Sequence, residues 1–182
     1  MKSSTPTLKF NLPTILTLSR VLVIPVFLLV APDYPRLGAF VFTLASLTDW
    51  FDGYLARKTG SVTKFGILMD PIADKFLVIS ALVLLVNLGR VSVWIAAVLI
   101  VREFLVTALR VVALSKGMII PAEMGGKVKT VFQFIAIVSL VLGGSLLGID
   151  LYDLGTGLIW VAMALSVFSG VRYTMSFWRQ TA

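Results

Sequence analysis

At 182 residues, 58% of them hydrophobic, and with a mean hydropathy of +0.99, the chain is long enough for one domain and far too apolar for a water-soluble one. It contains no Cys and no His, which excludes disulfides, thiolate nucleophiles, imidazole bases and zinc sites of the usual kind; any metal must take oxygen ligands, as Mg²⁺, Mn²⁺ or Ca²⁺ does. The net charge of +7 suits anionic headgroups or phosphorylated substrates, whereas the scatter of basic residues between apolar runs argues against nucleic acid.

In chain order, residues 1–11 read as a polar segment, too weakly charged for a signal sequence. Apolar runs of about 20 residues then recur, the length needed to cross a bilayer core. They predict spans at approximately 12–30, 37–56, 67–88, 92–114, 128–147 and 154–177. Asn11 is a candidate N-cap for the first, with Pro13 in its first turn. Turns are expected at 31–35 (APDYP) and Gly89-Arg90, and polar connections around Gly60-Ser61 and over 115–126. The expected architecture is an all-α integral membrane protein, one domain of six transmembrane helices.

Six spans put both termini on one side of the membrane. That side collects Lys2, Lys9, Arg57, Lys58, Lys64, Lys116, Lys127, Lys129 and Arg179, whereas the opposite connections hold only Arg36 and Arg90. The positive-inside rule makes the richer side cytoplasmic and the expected location the inner (plasma) membrane.

The chemistry concentrates in Asp49 to Asp74, DWFDGYLARKTGSVTKFGILMDPIAD. Asp49 and Asp52 are three apart and Asp70 and Asp74 four apart, so each pair projects from one helix face. Asp49, Gly53 and Ala56 fall near one line, leaving room for a ligand beside the acids. If the two helices are antiparallel neighbours the four carboxylates converge, and one or two divalent cations, Mg²⁺ or Mn²⁺, would relieve their repulsion. The bland alternative pairs these acids with Arg57, Lys58, Lys64 and Lys75 near the surface. Ionisable groups at membrane depth favour the functional reading.

The pattern Asp49-x-x-Asp52-Gly53-x-x-Ala56-Arg57, eight residues, then Gly66-x-x-x-Asp70-x-x-x-Asp74 resembles the signature of the CDP-alcohol phosphatidyltransferase family at every fixed position. The resemblance implies transfer of a phosphatidyl group from CDP-diacylglycerol to an alcohol, with release of CMP. It further implies a metal site of Asp49, Asp52, Asp70 and Asp74, with Asp74 also the base for the attacking hydroxyl. Asp52, Gly53, Ala56, Arg57 and Gly66 would bind the cytidine diphosphate moiety. A homodimer in the lipid bilayer is the family expectation.

The acceptor is read from other residues. Arg102 lies mid-span, where a guanidinium is costly unless paired or lining a wet cavity. Glu103 and Arg110, seven apart on one helix face, also suit a structural ion pair. Lys127 and Lys129 lie about 200° apart on a regular helix, so both need not reach one phosphate, and either could serve topology alone. Arg20 sits about 12 Å into its helix, a depth that favours facing the cavity; Thr14 is a further candidate on that span. The segments NLPTILTLSR, REFLVTALR and GKVKT resemble members of the family whose acceptor is sn-glycerol 3-phosphate. Arg102, Arg110, Lys127 and Lys129 would then hold its dianionic phosphate. A relative taking serine, inositol phosphate or phosphatidylglycerol would keep the acids and change this pocket. An intramembrane prenyltransferase should separate its Asp motifs more widely than the 18 residues from Asp52 to Asp70. A cation transporter should place its acids along a pathway rather than at one membrane edge.

Overall fold

The computed structural model describes residues 22–59, 64–116 and 124–181, and within them the side chains of 22–48, 75–116 and 128–180. Six helical segments account for nearly all of it: α1 (helical over residues 22–30), α2 (Pro35–Thr59), α3 (Lys64–Asn87), α4 (Val93–Ser115), α5 (Met124–Leu142) and α6 (Leu151–Thr181). Between α5 and α6 lie two short strands, β1 (Ser145–Leu146) and β2 (Ile149–Asp150).

Local chemistry sets the ends of these helices. The α1–α2 turn spans 31–33, and Pro35 opens α2, where its missing N–H costs nothing. Gly38 lets the two helices touch, since a Cβ there would fall 2.4 Å from the Ala31 Cβ. At the end of α3, Gly89 takes φ +67°, and the Arg90 and Gly89 amides donate back to the carbonyls of Leu85 and Val86, a Schellman closure.

The fifth helix is shorter than its apolar run. It ends at Leu142 rather than continuing to residue 147, because Gly143 and Gly144 both take positive φ and the chain leaves the helix. Ser145 then pairs with Asp150 and Leu146 with Ile149, around a two-residue turn in which Leu147 and Gly148 both have positive φ. The Asp150 carboxylate accepts the amides of Tyr152 and Asp153 at 2.7 and 3.3 Å, capping α6, which starts at Leu151 rather than 154.

Helix α5 is the hub. It packs along α6 and also against α2 and α3, while α4 packs on α6 and α3. Ala136, Ile137, Leu140 and Val141 of α5 are fully buried with Leu82, Leu85, Leu99 and Ile159. Phe42 joins α1 to α5 through ring contacts with Phe27 at 5.6 Å and Phe134 at 5.7 Å. Gly155 allows the tight α5–α6 approach, since a Cβ there would sit 2.6 Å from the Leu140 side chain.

Large apolar side chains also cover much of the described exterior. Leu29, Phe40, Trp94, Val101, Phe168 and Trp178 are all more than half exposed, a surface suited to hydrocarbon rather than water. Leu151–Gln180 is 30 residues long and apolar enough to cross a bilayer; Lys75–Asn87 and Val128–Leu142 are shorter apolar segments.

Candidate active site

The four aspartates sit on the backbone of two consecutive helices that touch, Asp49 and Asp52 on α2, Asp70 and Asp74 on α3. Their side chains lie outside the described residues, as do those of Ala56, Arg57 and Lys127 and the surroundings of Gly53 and Gly66. Thr14 and Arg20 lie outside them altogether, together with Asn11 and Pro13.

Next in sequence to Asp74, Lys75 begins a charged cluster. Its ammonium lies 3.2 Å from Glu103 Oε1 on α4, 3.3 Å from the Glu103 carbonyl oxygen, and in hydrogen-bond contact with the Thr107 hydroxyl. Thr107 in turn donates to the Glu103 carbonyl at 2.7 Å. The other carboxylate oxygen of Glu103 accepts from Lys129 of α5 and stands 3.3 Å from Arg102 Nη1. One carboxylate therefore gathers three cations from three helices.

Arg102 is fixed by more than that ion pair. Its Nε donates to the Ser166 carbonyl of α6 at 2.8 Å and its Nη2 to the Ser169 hydroxyl. The guanidinium arm lies across Gly170, where a Cβ would meet Arg102 Cγ and Nε at 3.2 Å. A planar fork that bonds in three directions is the residue type such a junction needs, and a lysine would not replace it.

Burial makes these contacts matter. The Lys129 side chain is 4% exposed, and those of Arg102 and Lys75 are 14% and 18% exposed. An ammonium buried to that degree is tolerated only beside an anion, and Glu103 supplies one. Three cations against one carboxylate leave two positive charges uncompensated among the described residues, next in sequence to the aspartate pair of α3. Such a cluster can receive a dianion.

Of the residues expected to bind an acceptor phosphate, Arg102 and Lys129 are brought together. Arg110 is not beside them. It lies about 12 Å further along α4, with its guanidinium 6.0 Å from the centre of the Tyr173 ring. The Glu103–Arg110 ion pair that their spacing permits is not formed among the described contacts, because the Glu103 carboxylate is taken up by Lys75, Arg102 and Lys129.

The sequence profile of the CDP-alcohol phosphatidyltransferase family matches residues 10–168, most of the chain. The chain belongs to that family. It is 40% identical to the CDP-diacylglycerol–glycerol-3-phosphate 3-phosphatidyltransferase of Bacillus subtilis strain 168, over 93% of this chain and 96% of the relative. The Rickettsia felis protein of the same name is also 40% identical, over 90% of this chain and 93% of its own length. That of Shigella flexneri serotype 5b is 39% identical, over 91% and 94%.

Beside the family signature the chain carries two cluster members to which the sequence reading assigns no acceptor role. Lys75 was counted only as an ordinary partner for the aspartates, yet its described partners are on α4. Glu103 was weighed only as a partner for Arg110. The usable signal was the Glu103-x-x-x-Thr107 spacing, which puts a carboxylate and a hydroxyl on one helix face. Ser166, Ser169 and Gly170 had no readable signal, because small residues in an apolar helix usually mean packing.

Proposed function

We propose that this chain transfers the phosphatidyl group of CDP-diacylglycerol to sn-glycerol 3-phosphate, giving phosphatidylglycerophosphate and CMP. The observation that carries the reading is the family signature on α2 and α3, followed in sequence by a cluster whose described residues carry surplus positive charge. The names of relatives at about 40% identity over most of the chain support the acceptor.

In this reading Asp49, Asp52, Asp70 and Asp74 hold one or two divalent cations, Mg²⁺ or Mn²⁺. An all-oxygen donor set on two touching helices, in a chain without Cys or His, suits a hard cation. Such a cation, when bound, neutralises diphosphate charge and polarises phosphorus. Asp52, Gly53, Ala56, Arg57 and Gly66 bind the cytidine diphosphate. Asp74 takes the proton from the primary hydroxyl of glycerol 3-phosphate as its oxygen attacks the phosphatidyl phosphorus. The new P–O bond forms as the bond to the CMP phosphate breaks, in line and with no covalent enzyme intermediate. Lys129 and Arg102, with Arg110 and Lys127, attract and orient the acceptor phosphate; Arg20 and Thr14 approach the same cavity.

The setting is a single domain of six membrane-spanning helices in the inner membrane, with both termini and the reacting groups on the cytoplasmic side, paired as a homodimer. The apolar exterior of the described helices supports a bilayer environment. Purified protein given CDP-diacylglycerol and a panel of glycerol 3-phosphate, serine, inositol phosphate and phosphatidylglycerol should release CMP with the first alone. CMP release with another member instead would reassign the acceptor, and none at all would remove the transferase reading.

A further inference from the structure

The contacts within the cluster are unequal. Arg102 is anchored by three contacts, to the Ser166 carbonyl, the Ser169 hydroxyl and Glu103, which fix its fork while leaving two of its five N–H donors without a described partner. Lys75 is likewise saturated, since an ammonium has three donors and three oxygens surround it. Lys129 is different. It is almost wholly buried, and the partner described for it is the Glu103 carboxylate alone. A buried ammonium with one partner among the described residues, held in place by that forked carboxylate, is half of an anion site.

The geometry points to Glu103 as the positioning residue of the acceptor site, a resident anion that holds Lys75 and Lys129 together and that the phosphate of the incoming acceptor joins. This rests on the function proposed above. A carboxylate presents two oxygens to the two lysines, one to each. A phosphate monoester presents three oxygens and a second negative charge, so it can join the Lys129 contact beside Glu103 and match the charge left uncompensated among the described residues. Without Glu103, three cations from α3, α4 and α5 would face one another with only neutral partners among the described residues, and the lysines would move apart. Glu103 itself touches no reacting atom; it acts through Lys129 and Lys75.

The test compares Glu103→Gln with Glu103→Asp in purified full-length protein, by steady-state kinetics and by equilibrium binding of radiolabelled glycerol 3-phosphate in the absence of CDP-diacylglycerol. Loss of a charged hydrogen-bond partner predicts that Glu103→Gln raises the KM for glycerol 3-phosphate about tenfold or more and weakens its binding similarly. The kcat and the KM for CDP-diacylglycerol should stay within about threefold. Glu103→Asp, which keeps the charge, should recover most of the acceptor affinity. A fall in kcat with acceptor KM and binding unchanged overturns the assignment, as does an Asp variant no better than Gln. If Glu103→Gln does not accumulate, Thr107→Val, which loosens Lys75 alone, should raise acceptor KM about threefold; an unchanged KM there is equally fatal. Wild-type protein that binds glycerol 3-phosphate through Glu103 but does not turn it over would refute the proposed function and leave this inference standing. Wild-type protein that fails to bind it overturns the inference itself.

Discussion

The two ends of the helix bundle both bury cations, and they do so for different ends. At the end where α3 meets α4, Arg90 points its Nη1 at the carbonyls of Leu140 and Val141, 2.6 and 2.9 Å away. Those carbonyls are orphaned by the termination of α5, and the positive charge also complements the negative end of that helix dipole. No carboxylate is needed there, because each donor–acceptor contact closes a gap in the backbone. At the other end Lys75, Arg102 and Lys129 surround one Glu103, and among the described residues charge is left over. A cation that finishes a helix is stabilising and inert; a surplus of buried cations around one acid is a binding arrangement. The two sites differ in what the charge faces, and also in depth, since Arg90 is half-buried and Lys129 almost wholly buried.

Four substitutions break or sharpen that contrast. The largest effect is expected at Asp74, beside the charged cluster. Asp74→Asn should cut transfer by about 10²–10⁴, the range for loss of a general base, with the protein still folded and CDP-diacylglycerol still bound. Near-normal turnover in that variant would end its assignment as the base. Next is Arg110→Ala, which should raise the apparent KM for glycerol 3-phosphate about tenfold while the lipid KM changes less. Arg110 stands over Tyr173, away from Glu103, so an unaltered acceptor KM would confine the phosphate site to the Glu103 cluster.

Arg90→Met probes the inert end. Two carbonyls lose their donor, and a loss of about 1–3 kcal/mol in unfolding free energy is expected. The KM values should be unchanged in steady-state assays below the unfolding temperature. A selective rise in acceptor KM would show that the two ends are not functionally separate. The smallest effect is expected from Gly170→Ala. The added methyl meets the flexible Arg102 side chain at 3.2 Å, so the arm must shift by a few tenths of an ångström. A change of about twofold in acceptor KM follows, with stability altered by less than about 1 kcal/mol. A collapse of activity would mean that the Arg102 position is far less tolerant than its three anchors suggest.

How much of this was legible beforehand varies by residue. The apolar runs announced the helices, and the APDYP and Gly89-Arg90 turns fell where proline and glycine put them. The end of α5 was missed because Leu146, Leu147 and Ile149 extend the apolar run past the glycines, and periodicity does not register a hairpin whose side chains are exposed. Arg90 was read only as a stray positive charge on the sparsely basic side. Its role as a cap depends on carbonyls 50 residues away. Arg102 and Lys129 are both acceptor-phosphate candidates by sequence, and the structure brings them together, yet spacing offers the acid that unites them to Arg110. Spacing along one helix ranked Arg110 as the partner of Glu103, and it holds no record of the lysines on α3 and α5.

By itself, then, the sequence determined the family, through the spacing of Asp49, Asp52, Gly53, Ala56, Arg57, Gly66, Asp70 and Asp74, and the helical, lipid-suited character of the chain. Those are local properties, carried by residue type and by intervals within one or two helices. Tertiary structure decided which charges meet. Lys75, Arg102, Glu103 and Lys129 come from three helices up to 54 residues apart, and Arg102 is anchored on a fourth. Helix packing sets those meetings, through the small residues that let α5 and α6 close upon each other and Gly170 that admits the Arg102 arm. A buried charge must find its counter-charge in space rather than along the chain.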